Sequence, residues 1–316
     1  MVEKIIIDTD PGIDDAVALF VALANPDIQV LGVTTVNGNV GVDKSFLNAR
    51  KITEFCWHSD VRVYRGCDKP LKRTLVNAAW VHGEDGLAGL QLPDPTEEPE
   101  KTDAVDFIID TLKNAEGKEV SIVALGPLTN IATAFLKEPK IIRKIREIVI
   151  MGGGFSQTGP RGNTTPWAEF NMWADPHAAQ VVFDAAEQMT VVPMEVGMQV
   201  VTGPDYIARL RDIRTKAAYA AADMIEKTIE FVEKERPDLS KDGIALYDPV
   251  AMTCLMRPGL FSGRYGKVTV NTDAEDEKFG MTTFFEDEKI RNCLVTHKVN
   301  AESVLDFMAD SLAALP

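Results

Sequence analysis

Four carboxylates fall within eight residues in the run Asp8-Thr9-Asp10-Pro11-Gly12-Ile13-Asp14-Asp15, directly after the apolar stretch Ile5-Ile6-Ile7. Like charges this close repel by kilocalories once water is excluded, so the arrangement asks for a cation. The run holds no cysteine and no histidine, and an all-oxygen donor set suits a hard ion, Ca2+ or Mg2+, better than zinc. Spacing excludes an EF-hand: counted from Asp8 the glycine comes one place early, and the twelfth position is Leu19 rather than glutamate. The chemistry open to such a cluster is that of a bound hard metal ion.

The elements that must hold these groups follow from the apolar patterning. Strands are expected at Ile5–Ile7, Val30–Val36, Val61–Tyr64, Val120–Leu125, Glu147–Met151 and Met189–Pro193. Asp14 and Asp15 open a helix through Ala16–Leu23, where acids suit the positive N-terminus. Further helices are expected at Asp43–Cys56, Ala104–Asn114, Leu128–Lys137 and Pro176–Glu187. This alternation predicts a doubly wound α/β fold, a mostly parallel sheet flanked by helices on both faces, in a single domain over residues 1–316. In such sheets ligands bind beyond the carboxyl ends of the strands. Asp8–Asp15, Gly126–Asn130 and Met151–Gly154 all follow strand ends, so one rim would collect them. Thr96–Asp103 reads as a solvated loop, Lys216–Arg236 as a charged amphipathic helix, and Lys267–Asn271 with Met281–Phe285 as a hairpin before a strand at Asn292–His297.

Composition narrows the partners. A formal charge of -15 over 316 residues argues against nucleic acid or an anionic membrane surface, which reward basic proteins. No apolar run approaches the ~18 residues of a membrane span, and no signal-peptide core precedes the first strand, so a cytoplasmic protein is expected. Cys56, Cys67, Cys254 and Cys293 are too scattered for a zinc site and read as reduced structural residues.

Further motifs accompany the aspartates: Asn39 after a Val-Asn-Gly turn, His82-Gly83-Glu84-Asp85-Gly86-Leu87, Gly126-Pro127-Leu128-Thr129-Asn130, Met151-Gly152-Gly153, Asn163 to Asn171, and Asp248-Pro249. Together with the Asp-x-Asp-x-Gly-x-Asp-Asp element, they make the chain resemble the inosine-uridine-preferring nucleoside N-ribohydrolases over nearly its whole length. The resemblance implies Ca2+-dependent hydrolysis of the N-glycosidic bond of ribonucleosides to ribose and free base, in salvage or catabolism, by a homodimer or homotetramer. It implies metal ligation by Asp10, Asp15, Asp248 and the carbonyl of Leu125, with Asp10 also the general base. Asp14, Asn163, Glu169 and Asn171 would grip the ribose, Met151 and Phe170 would complete the substrate site, and Asn39 would contact ribose or base. His82, an imidazole titrating near neutrality in the free state, would bind the base or protonate it as it leaves. His58 and His297 read as surface or edge residues, and His177 as part of a helix start.

The chain departs from the family pattern at one place. Many members carry a histidine just before the last metal-binding aspartate, where this chain has Tyr247. A phenol is a poorer acid at neutral pH and a better hydrogen-bond or stacking partner. The helix before it holds only Tyr219 and Phe231 as aromatic residues, not the paired tyrosines of bacterial members. Two other readings stand beside the hydrolase at this stage. One is a phosphatase using Asp8-Thr9-Asp10 as a nucleophile pair, which Pro11-Gly12-Ile13 fits poorly. The other is a Ca2+-dependent nucleoside-binding protein without catalysis.

Overall fold

Ile5, Ile6 and Ile7 set the architecture of the computed structural model, which describes residues 2–235, 243–290 and 293–316. Ile5 and Ile7 pack into one buried cluster and Ile6 into another, because successive side chains of a strand point to opposite faces. Both faces of the sheet are therefore covered. The strands are β1 (Glu3–Thr9), β2 (Ile28–Thr35), β3 (Val63–Arg65), β4 (Val120–Ala124), β5 (Ile145–Met151) and β6 (Met189–Val192), followed by β7 (Val201–Thr202), β8 (Ile244–Ala245), β9 (Phe261–Val270), β10 (Thr282–Glu286) and β11 (Cys293–Val299). The helices are α1 (Ile13–Leu23), α2 (Val42–Phe55), α3 (Ala79–His82), α4 (Ala104–Asn114), α5 (Thr129–Lys137) and α6 (Phe170–Ala174), then α7 (Pro176–Ala185), α8 (Met194–Gly197), α9 (Pro204–Ile213), α10 (Lys216–Glu235), α11 (Tyr247–Met256) and α12 (Ala301–Ala314).

Among the described residues nine strands form one sheet in the order β10-β9-β11-β6-β5-β4-β1-β2-β3. The run from β11 to β3 is parallel throughout, while β9 pairs antiparallel with both β11 and β10. The first face carries α1, α2 and α9 to α12, and the second carries α4, α5 and α7. The expected doubly wound sheet is present. The chain leaves β1 toward β2 on one side and reaches β4 on the other, so the switch in strand order opens a crevice beyond the ends of β1 and β4.

Most expected elements appear with ends shifted by one or two residues. The helix expected to reach Glu187 stops at Ala185 because Ala186 turns extended (ψ 143°). Arg236, the expected end of the amphipathic helix, and Asn292, the expected start of the last strand, lie outside the described residues. Thr96–Pro99 and Lys101–Asp103 are exposed, as a solvated loop should be. Among the described residues no helix is long and apolar enough to cross a membrane. All four cysteines are free.

Candidate active site

At the end of β1 the chain turns through Pro11-Gly12 into α1, which leaves Asp10 in the turn and Asp14 and Asp15 in the first helical turn. Asp15 is fully satisfied. Its Oδ1 accepts from the Thr9 hydroxyl and from the Asp10 amide (3.2 Å), and its Oδ2 accepts from the Gly12 amide and Asn39 Nδ2, both at 2.9 Å. Asp10 is different. Its Oδ2 accepts from the Asn39 amide at 2.6 Å, but Oδ1 is buried with no hydrogen-bond partner. A Cβ on Gly38 would stand 1.9 Å from one Asp10 oxygen and a Cβ on Gly126 2.4 Å from the other, so the absence of side chains at both positions makes room for the carboxylate.

Helix α11 packs on α1 and brings Asp248 to the same place. Carboxylate oxygens of Asp14, Asp15 and Asp248 all lie within 4.8 Å of one another. Burial, then the charge of neighbouring aspartates, holds the Asp10 and Asp248 carboxyls well above the usual range. Asp15 is raised by burial and Asp14, against the pull of Thr9 and Gly12. Asp14 is raised by burial and eased by backbone amides of Asp14, Tyr247, Asp15 and Asp248, the open N-termini of two helices. Beneath them Asp8 takes bonds from Thr34 Oγ1 (2.6 Å) and Asn130 Nδ2 (2.7 Å) on Oδ1 and leaves Oδ2 unpaired, and burial pushes it up to about 7. The sequence counts Asp8 among the clustered acids without showing that Thr34 and Asn130 claim it.

These groups fit a hard cation. Buried acids at mutual repulsion, oxygen donors only, and an orphaned carboxylate oxygen on Asp10 are what such an ion would relieve. The Leu125 carbonyl accepts from Asn171 Nδ2 at 2.7 Å and keeps a second lone pair. The trio within 4.8 Å contains Asp14, not Asp10. Backbone amides of α1 and α11 already meet Asp14, whereas Oδ1 of Asp10 has no donor.

A cavity of about 340 Å³ opens above the acids. Asp14, Asn39, His82, Leu125, Met151, Asn163, Glu169, Phe170, Asn171, Tyr247 and Asp248 line it, while Asp10 and Asp15 lie beneath, fully buried. The residues expected at the metal and substrate sites therefore line one cavity or lie buried beneath it. Glu169 caps α6, with Oε1 on the Asn171 amide (2.9 Å) and Oε2 on the amides of Gly153 (2.9 Å) and Met172 (3.2 Å). Burial still raises its carboxyl. Asn163 Oδ1 takes the Phe170 amide at 2.9 Å, closing the loop that carries Glu169. Asn39 gives its main-chain amide to Asp10 at 2.6 Å and one side-chain N–H to Asp15 at 2.9 Å, and it also lines the cavity, with its Oδ1 and the second side-chain N–H left over.

Two residues depart from their free-state chemistry. His82 Nδ1 accepts from the Ile13 amide at 3.2 Å, and burial pushes the imidazole down to about 4 against the opposing pull of Asp15. It is neutral at pH 7, with its proton on Nε2, rather than titrating near neutrality. Tyr247 is pushed up to about 12 by burial and by the charges of Asp14 and Glu169. Met198, Val201, Phe231, Val232 and Ile244 give the cavity an apolar part of its lining, to which Thr228 also belongs. Thr228, Phe231 and Val232 stand at helical spacing on one face of α10, a signal that reads equally as core.

The family model for inosine-uridine preferring nucleoside hydrolases matches residues 5–306. An inosine-uridine preferring nucleoside hydrolase of Leishmania major is 39% identical over 82% of this chain and 80% of that protein. A pyrimidine-specific ribonucleoside hydrolase, RihA, of a Shewanella species is 36% identical over 99% of this chain and 97% of its own. Among solved structures, a purine-preferring ribonucleoside hydrolase from Gardnerella vaginalis superposes with a TM-score of 0.91 at 31% identity, covering 98% of each chain. A site of buried aspartates at the sheet's switch point, in a fold shared along the whole chain, places this protein in the inosine-uridine preferring nucleoside hydrolase family, N-glycosyl hydrolases that split ribonucleosides.

Proposed function

We propose that the protein is a Ca2+-dependent ribonucleoside hydrolase of nucleoside salvage, acting in the cytoplasm as a homodimer or homotetramer and releasing ribose and free base. The observation that carries this reading is the unpartnered, buried Oδ1 of Asp10 beside Asp14, Asp15 and Asp248 at the floor of the cavity. Asp10, Asp15, Asp248 and the Leu125 carbonyl would hold the ion. When bound, the ion supplies positive charge that makes a water acidic enough to lose its proton near neutrality. Asp10 would take that proton as the water oxygen bonds to C1' of the ribose and the C1'–N bond breaks; the bonding pair leaves with the base, which takes up a proton from solvent while His82 and Tyr247 donate hydrogen bonds to it. Asp14, Glu169 and Asn171 hold the sugar hydroxyls, and Met151 and Phe170 pack the ring. No Lys or Arg is among the described lining residues, which suits an uncharged nucleoside over a nucleotide.

The test is a panel of purine and pyrimidine nucleosides, with free base followed by chromatography, with Ca2+ and with chelator. Base release that disappears in chelator and returns with Ca2+ is expected. Tight nucleoside binding without base release would instead indicate a binding protein.

At the base end, neutral His82 and protonated Tyr247 offer hydrogen bonds rather than an acid matched to pH 7. Their help should matter most when the leaving group is poor. Tyr247→Phe and His82→Ala are each expected to lower kcat/KM on uridine by about 10- to 100-fold and on p-nitrophenyl riboside by less than about 3-fold. An equal loss on both substrates would assign these residues to ribose placement or folding.

A further inference from the structure

Gly197 is buried at the end of α8, and its φ is not in the left-handed region, so the backbone there does not ask for glycine. A neighbour does. A Cβ at this position would lie 2.4 Å from Cδ1, 3.2 Å from Cε1 and 3.4 Å from Cα of Tyr247. The obstructed atoms are the near edge and root of an aromatic ring, not the tip of a flexible chain. They belong to the first residue of α11, and the next residue is Asp248.

We infer that Gly197 is a positioning residue, whose missing side chain seats the Tyr247 ring against α8 and keeps it clear of the space a nucleobase needs. The inference rests on reading the cavity as a nucleoside site. Tyr247 shares the cavity wall with Met198, Val201 and Leu246, and its hydroxyl lies within electrostatic reach of Asp14 and Glu169. With α8 closed to it by an added methyl, the ring has two ways to yield. It can turn into the cavity, where it takes the place of the base, or it can drag the start of α11 and move Asp248. Both routes reach the site through Tyr247, so the effect of the methyl should vanish when the ring is absent.

The experiment is a double-mutant cycle on Gly197→Ala, Tyr247→Ala and the double variant, with uridine as substrate. In the parent, Gly197→Ala is expected to lower kcat/KM about tenfold or more, mainly through KM, as overpacking of a built site does. In the Tyr247→Ala background it should change kcat/KM by less than about twofold, the range of independent sites. Thermal unfolding should follow the same cycle: Gly197→Ala lowers Tm in the parent, and in the Tyr247→Ala background leaves it unchanged or raises it, since alanine is the better helix former. An equal penalty in both backgrounds, or no penalty in the parent, would overturn the inference. If the parent releases base from no nucleoside, the hydrolase reading fails, and the unfolding cycle alone still decides whether Gly197 seats Tyr247.

Discussion

Asp10→Asn is expected to give a folded protein that has lost about 10³-fold in kcat, within the range for removing a positioned proton acceptor. The same change should make the metal-free protein more stable. Asp10 is fully buried, one of its oxygens has no donor, and Asp15, Asp14 and Asp8 repel it. Asparagine keeps an oxygen for the Asn39 amide and removes the charge. The pH dependence follows from the same repulsion. Asp8, Asp10, Asp14, Asp15 and Asp248 all have folded-state pKa values raised above those of an unfolded chain. The folded state therefore binds more protons, and the stability these groups contribute is complete below about 4 and is lost as pH rises through the folded values, about 7 for Asp8. Melting temperature in chelator should fall across this window, and saturating Ca2+ should reverse the trend by binding the ionised, folded form. Undiminished turnover in a thoroughly metal-free preparation would sink the metal assignment, as would metal-free stability that climbs from pH 4 to 7.

The part of this site that was legible in the sequence is the part that carries charge. Acids packed into a few residues after an apolar strand are costly without a purpose, so Asp8 to Asp15 announce themselves. Glu169 and Asn171 are visible only beside them. The strands were legible for a similar reason, since runs such as Ile5-Ile6-Ile7 and Val120 to Leu125 have to be buried on both faces. What stayed hidden depends on spatial neighbours. Asn39 reads as turn chemistry, and only its position against Asp10 and Asp15 shows that it orients carboxylates. His82 looks titratable at neutrality until burial and the Ile13 amide fix its neutral form. The wall from Thr228 to Val232 is apolar at helical spacing, which any core helix shares. Gly197 is silent in sequence, because its meaning lies in a ring that is 50 residues away in the chain.

Ribonucleosides should be preferred over 2'-deoxyribonucleosides by about a hundredfold or more in kcat/KM, because the groups proposed to meet the diol are buried and fixed before substrate arrives. Glu169 is 2% exposed and its carboxylate is held by three backbone amides, while Asp14 is oriented by the first amides of α1 and α11. Neither can swing to water when a hydroxyl is missing. Asn171 is also committed, with its amide nitrogen on the Leu125 carbonyl at 2.7 Å and near the Met151 carbonyl at 3.2 Å, so its amide group is held in a fixed place in the cavity wall. An absent 2'-hydroxyl then removes one donor from a buried acceptor that cannot turn to water for another, and the loss appears in the transition state as well as in binding. Glu169→Gln tests the assignment more sharply than the substrate alone. It keeps the size of the side chain and removes its charge, but an amide nitrogen cannot accept, so one oxygen's share of the backbone amides of Asn171, Gly153 and Met172 loses its partner. With folding followed by thermal unfolding, it should cost uridine far more than 2'-deoxyuridine and narrow the ratio between them. Parallel rates on the two substrates, or a Glu169→Gln protein that loses both by the same factor, would remove Glu169 from the ribose grip and leave it as a helix cap alone.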